Sequence, residues 1–103
     1  MKKDTYKTDV IFRKYKDGGA ILALFPYSVG DRNGNVECYE HIGQHGTGDY
    51  EHCVNTLTIP ATEAEAKDLK VELESIGYDL VVKKKRNATK YFDSFDELRK
   101  RLG

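Results

Sequence analysis

Every cysteine and every histidine of this chain lies between residues 38 and 53, and these are the residue types that most easily bind metals or act as nucleophiles. The spacing Cys38-x2-His41-x3-His45, followed by His52-Cys53, matches no standard zinc pattern. We therefore predict no metal ligand, no catalytic residue and no cofactor. A small metal-dependent or histidine-based enzyme centred on this segment remains the alternative hypothesis.

The same segment favours a structural interpretation in which the chain forms a compact polar loop. Gly43, Gly46 and Gly48 permit a tight path after the preceding strand. Polar side chains beside them can bond to backbone groups that such a path leaves unpaired. Because loops of this kind often carry binding surfaces, we predict a first binding surface here. Its residues are His41, Gln44, His45, Asp49 and Tyr50.

Charge is distributed unevenly along the chain although the net charge is zero. Residues 1–16 and 80–103 carry net charges of +4 and +5, whereas residues 17–60 and 61–79 carry −5 and −4. Such asymmetry can mark a contact with nucleic acid or with a charged protein, and the alternative is a solvated surface whose charges balance in space. We predict a second binding surface, a basic patch built from Lys2, Lys3, Lys83, Lys84, Lys85 and Arg86.

Length and composition indicate one globular domain of 103 residues with 39% hydrophobic and 33% charged residues. The longest apolar run, Ala20 to Pro26, is the size of a strand and too short to span a membrane. The N-terminus has no apolar stretch typical of a signal peptide, so we expect a cytoplasmic protein with reduced thiols and no membrane partner.

Three strands are predicted in the first half of the chain. Val10 to Tyr15 and Ala20 to Phe25 are apolar and flank Asp17-Gly18-Gly19, which supplies the positive φ angles of a tight hairpin. The second strand is apolar on both faces and is expected inside the sheet, with Pro26 ending it. A third strand is predicted from Val36 to Ile42, and a short helix capped by Asp49 is predicted over 50–55.

The second half predicts two helices and one strand. Thr62 and Glu65 form a capping box at the start of a helix whose apolar face carries Ala66, Leu69, Leu73 and Ile76, and Gly77 ends it. A last strand over 78–83 follows. Ser94 and Glu97 suggest a second capping box before a short terminal helix.

These elements predict an α+β fold with a mixed four-stranded sheet in the order β-β-β-α-β-α. The main helix is expected on one face, and the last strand is expected parallel to its partner. We assign one domain over 1–103, with a core over 8–83, a basic linker over 84–92 and a terminal helix over 93–102.

The run His41-Ile42-Gly43-Gln44-His45 with Asp49-Tyr50 is the most distinctive part of the sequence. Together with Phe12-Arg13-Lys14, Ala23-Leu24-Phe25-Pro26 and the segment LKVELESIGY over 69–78, it carries a resemblance that spans roughly residues 9–83. Over this span the chain resembles a family of short uncharacterised bacterial proteins that are often carried by prophages and other mobile elements. The family has no known activity, so the resemblance implies a phage or mobile-element setting and no chemistry.

Small proteins in that setting often act by binding. We therefore expect a non-enzymatic binding or accessory protein that acts on a host protein or nucleoprotein, with inhibition of a host defence system as one form of that role. Nucleic-acid binding through the basic ends is a variant of this hypothesis. A homodimer joined through an exposed edge strand is a further one.

Overall fold

The computed structural model describes residues 7–31, 33–40 and 44–102. Its strands are β1 (Lys7–Tyr15), β2 (Ile21–Val29), β3 (Val36–Glu40), β4 (Gln44–Gly48), β5 (Thr58–Pro60) and β6 (Asp79–Val82). Its helices are α1 (Tyr50–His52), which continues as a π-helical turn over Cys53–Leu57, then α2 (Glu63–Ser75) and α3 (Ala88–Leu102). No helix in these described ranges is long and apolar enough to cross a membrane.

The strands form one mixed sheet in the order β4-β3-β2-β1-β5, with β6 also paired to β1. The predicted α+β class is confirmed, and so is the parallel pairing of the last strand, since β6 runs parallel to the first half of β1. β5 pairs antiparallel with the second half of β1, so β5 and β6 share one edge of the sheet. The predicted four strands are wrong because β4 and β5 add two.

The extra strand β4 comes from the glycine-rich segment that we predicted to be a loop. Glycine is rare in strands because it offers no side chain to pack, so the sequence gives little sign of pairing here. Antiparallel pairing with β3, from Val36 opposite Gly48 to Glu40 opposite Gln44, nevertheless holds this segment extended. The predicted third strand accordingly ends at Glu40, and residues 41 and 42 lie outside the described residues.

β2 lies inside the sheet with both faces buried, as its apolar run predicts. Ala23 and Phe25 point to the face covered by α2, whereas Leu22 and Leu24 point to the face covered by α1 and α3. Pro26 does not end the strand, which continues to Val29. The pairing of β2 with β3 shifts between Phe25 and Val29, so the ladder skips the proline that has no N–H to give.

α2 covers one face of the sheet with the predicted apolar stripe. Ala66, Leu69 and Leu73 are buried, while Ile76 lies past the helix end and is 54% exposed. The predicted capping box is present, with the Glu65 backbone N–H donating to Thr62 Oγ1 at 3.1 Å. Gly77 adopts a φ of 111°, as a helix-ending glycine should.

The terminal helix α3 begins at Ala88 instead of residue 93 and covers the other face of the sheet. Asn87 caps it, since Asn87 Oδ1 accepts the Lys90 backbone N–H at 3.1 Å. The predicted capping box at Ser94 is wrong, because Ser94 lies inside the helix and its Oγ donates to the Lys90 carbonyl. Most of the predicted linker over 84–92 is therefore helix.

Candidate functional site

The first predicted binding surface forms the outer strand of the β3–β4 hairpin. Gln44 and His45 are exposed on β4, and His41 lies outside the described residues. Paired residues of neighbouring strands share a face, so His45 lies on the α2 side with its partner Tyr39. Gly46 lies on the other side with its partner Cys38.

The His45 ring packs against Tyr39, which is itself held by α2. The two rings meet edge to face, with centroids 4.8 Å apart. Tyr39 is only 2% exposed, and its hydroxyl donates to the Glu72 carboxylate on α2. This chain of contacts fixes the α2 side of β4 against the body of the protein.

Asp49 and Tyr50, the other two predicted residues of this surface, have structural roles. Asp49 Oδ1 accepts the backbone N–H groups of Glu51 at 3.0 Å and His52 at 3.4 Å, so the predicted helix cap is confirmed. Tyr50 is only 8% exposed, and its hydroxyl accepts the Arg86 backbone N–H at 3.0 Å. Asp49 remains at the surface, whereas Tyr50 is too buried to meet a partner directly.

The two thiols lie against the glycines of β4. A Cβ built on Gly46 would lie 3.8 Å from Cys38 Sγ, and one built on Gly48 would lie 3.2 Å from Cys53 Sγ. Burial is the main cause that raises the pKa of both thiols. The negative charge of Glu40 adds to this rise in pKa for each, and that of Asp49 adds to it for Cys53. Both cysteines are therefore neutral thiols near pH 7, which is the wrong form for a nucleophile.

No group of three His, Cys, Asp or Glu side chains in the described part of the chain is arranged to hold a metal ion. His41, a residue of the alternative enzyme hypothesis, lies outside these residues.

The second predicted surface, the basic patch, is divided by the fold. Lys83, Lys84 and Lys85 are exposed after β6, and Lys2 and Lys3 lie outside the described residues. Arg86 is withdrawn from the surface, because its guanidinium carbon lies 4.2 Å from the Tyr50 ring centroid and 3.9 Å from that of Tyr91. Arg86 therefore joins α1 to α3 by cation–π contacts and is not a free cation for a partner.

The two edges of the sheet differ in how they are protected from pairing with another chain. The β5/β6 edge consists of strands of three and four residues, with Pro60 at the end of β5 and three lysines after β6. Such short strands, prolines and lysines are the usual protection of a sheet edge. β4 has five residues, no proline and no charged residue, and no further strand pairs with it in the described ranges. β4 is the unprotected edge.

Acidic residues border this unprotected edge. On β3, Glu37 lies opposite Thr47 and Glu40 lies opposite Gln44. Asp49 follows β4 directly, and Glu51 comes two residues later. Within the described residues, the ion pairs of the protein involve other carboxylates. Acidic side chains therefore border β4 at both of its ends, although Glu37 shares a surface pocket with Arg101 of α3.

Arg13, a buried cation in the middle of β1, was not among the predicted functional residues. It is 7% exposed, and its guanidinium donates to Thr58 Oγ1 at 2.9 Å and to the carbonyls of Val54 at 2.8 Å and Thr58 at 3.0 Å. Arg13 thereby ties β5 and the end of the π-helical turn to the sheet. The available signal was a lone arginine at an inward position of an apolar strand, which requires buried acceptors.

Comparison of the chain with protein-family models, with curated proteins and with solved structures found no match. The phage or mobile-element setting that the sequence suggested therefore stays a prediction.

Proposed function

We propose that this chain is a non-enzymatic binding protein that recognises its partner by adding a strand of that partner to β4. The observation that supports this most strongly is the contrast between the two sheet edges. One edge carries three kinds of protection, and the other carries none over five residues. An edge of this kind offers a row of backbone donors and acceptors to another extended chain.

The surroundings of β4 make it a rigid template for such binding. Pairing with β3 and the edge-to-face contact of His45 with Tyr39 hold the strand in place before a partner arrives. Preorganisation of this kind reduces the entropy lost on binding. The exposed His45, Gln44 and Thr47 side chains would give the backbone pairing its specificity.

The partner we propose is a host protein or nucleoprotein. This choice follows the phage or mobile-element setting that the family resemblance implies. Occupation of a partner's extended segment by β4 would remove that segment from its usual contacts. The chain would thereby inhibit its target without catalysing a reaction, and a component of a host defence system is one such target.

Proline substitutions in β4 provide the test. Neighbouring residues of a strand point their N–H groups to opposite sides, so one of Gly46→Pro and Thr47→Pro breaks the β3 ladder and the other removes only an outward N–H. The variant that keeps the wild-type melting temperature is the one with a blocked edge. We expect it to lose a host protein that the wild type and Lys84→Ala both retain in a pull-down.

Retention of the same host protein by both proline variants would contradict the proposal. Retention that instead depends on Lys83, Lys84 and Lys85, falls steeply with salt and disappears after nuclease treatment would favour nucleic-acid binding by those lysines.

A further inference from the structure

We infer that the strand received by β4 is cationic and places a lysine or arginine side chain over Gly46. This inference rests on the proposed function and names the chemistry of the partner. The stem of that side chain would lie beside the thiol of Cys38, and its charge would lie between Glu40 and Asp49.

The path for the stem is set by Gly46. It is exposed and has no side chain that could block an approach from the edge. Cys38 Sγ lies 3.8 Å from where its Cβ would be, an ordinary contact distance, whereas Cys53 Sγ already covers Gly48 at 3.2 Å. The Cys38 thiol is weakly polar, which suits the methylene groups of a long side chain.

The site for the charge is set by the carboxylates on either side of Gly46. Glu40 lies opposite Gln44, on the same face of the sheet as Cys38 and Gly46, and Asp49 follows Gly48 directly. Asp49 lies at the surface and caps α1, and Glu40 is half-buried. A cation that reached over Gly46 would therefore meet carboxylates on both sides.

The charge pattern also separates this partner from a second copy of the same chain. Antiparallel pairing of β4 with β4 of another copy would bring together two acidic borders, each with Glu37, Glu40, Asp49 and Glu51. Like charges across a new sheet junction oppose pairing, whereas a basic strand gains from both borders.

Two labelled peptides test the inference by fluorescence anisotropy. One is a nonapeptide that alternates lysine with valine and threonine, and the other carries glutamate at each lysine position. We expect the lysine peptide to bind at least about tenfold more tightly than the glutamate peptide, and to weaken between about 50 and about 300 mM NaCl.

The matched variants remove two charges each and keep the shapes of the side chains. In Glu40→Gln/Asp49→Asn, glutamine has nearly the same shape as glutamate, and asparagine is as good a helix cap as aspartate. This variant should bind the lysine peptide about three- to tenfold more weakly. Glu63→Gln/Asp68→Asn on α2 should bind it as the wild type does.

The outcomes distinguish the inference from the proposed function. Equal affinity for both peptides would overturn the cationic partner, and so would equal weakening of binding in the two double variants. Strand addition would still stand in that case if the edge-blocked proline variant loses its host protein. Unchanged peptide binding by that proline variant would overturn strand addition itself. Dimers of the free protein in light scattering, lost on edge blocking, would instead identify a second copy as the occupant.

Discussion

At the scale of single residues, burial decides which of the candidate groups are chemically available. Cys38 and Cys53 are residue types that could do chemistry, yet burial against β4 and nearby carboxylates keeps them protonated. Lys83, Lys84 and Arg86 are neighbours in sequence, yet only the lysines meet solvent freely. The role of each residue follows from what surrounds it more than from its type.

Thiol reactivity tests the state of the two cysteines. Because the pKa of each thiol is raised in the folded protein, the thiolate fraction at pH 8 is smaller than that of a free thiol. We expect iodoacetamide to modify the folded protein more slowly than N-acetylcysteine at pH 8, with the rate rising as the pH goes above 9. Modification at pH 7 faster than that of N-acetylcysteine would contradict the assignment and support the enzyme hypothesis.

Replacement of Arg86 tests its structural role. Arg86→Ala removes contacts to two aromatic rings, each worth about 0.5–2 kcal/mol, so we expect the free energy of unfolding to fall by about 1–3 kcal/mol. Lys84→Ala, in an exposed position nearby, should change it by less than about 0.5 kcal/mol. Chemical denaturation measures both, and equal effects would show that Arg86 is a surface cation after all.

At the scale of elements, the docking of α3 depends on a close approach to the turn before β3. Tyr91 Oη donates to the Gly34 carbonyl at 2.6 Å, and Tyr91 and Phe95 pack over this glycine. A side chain at Gly34 would therefore push α3 away from the sheet.

Two glycine substitutions isolate this contact. Gly18 and Gly34 have nearly the same positive φ, 84° and 82°, so alanine strains the backbone similarly at both. Only at Gly34 would the added Cβ collide, at 2.5 Å from Tyr91 Oη. We expect Gly18→Ala to cost about 1 kcal/mol and Gly34→Ala about 2–4 kcal/mol in thermal unfolding. Similar costs at both positions would mean that α3 is only loosely packed.

The elements that the sequence predicted well are those whose signals are local. The capping box of Thr62 and Glu65, the apolar stripe of α2 and the glycine hairpin at Gly18 all lie within a few residues of what they determine. β4 could not be predicted in this way, because its extended form depends on pairing with β3 and its own glycines disfavour it. The start of α3 was misplaced because the cap at Asn87 competes with an equally good signal at Ser94.

At the scale of the whole molecule, the two edges of one sheet have different properties. Sequence alone predicted that the last strand runs parallel to its partner. The structure shows that this partner is β1, which places the lysines after β6 at one edge. Which strand ends the sheet on the other side depends on how six strands are ordered, and no local pattern specifies that order. The segment that was predicted to be a polar loop is therefore a strand, and its role in binding stays a prediction.

Amide hydrogen exchange over residues 44–48, with and without the lysine peptide or the captured host protein, tests strand addition most directly. If β4 receives a strand, its outward-pointing amides exchange quickly in the free protein and become protected in the complex, while those of residues 83–85 are unchanged. Unchanged exchange in β4, with new protection at residues 83–85 or along α3, would contradict strand addition at this edge.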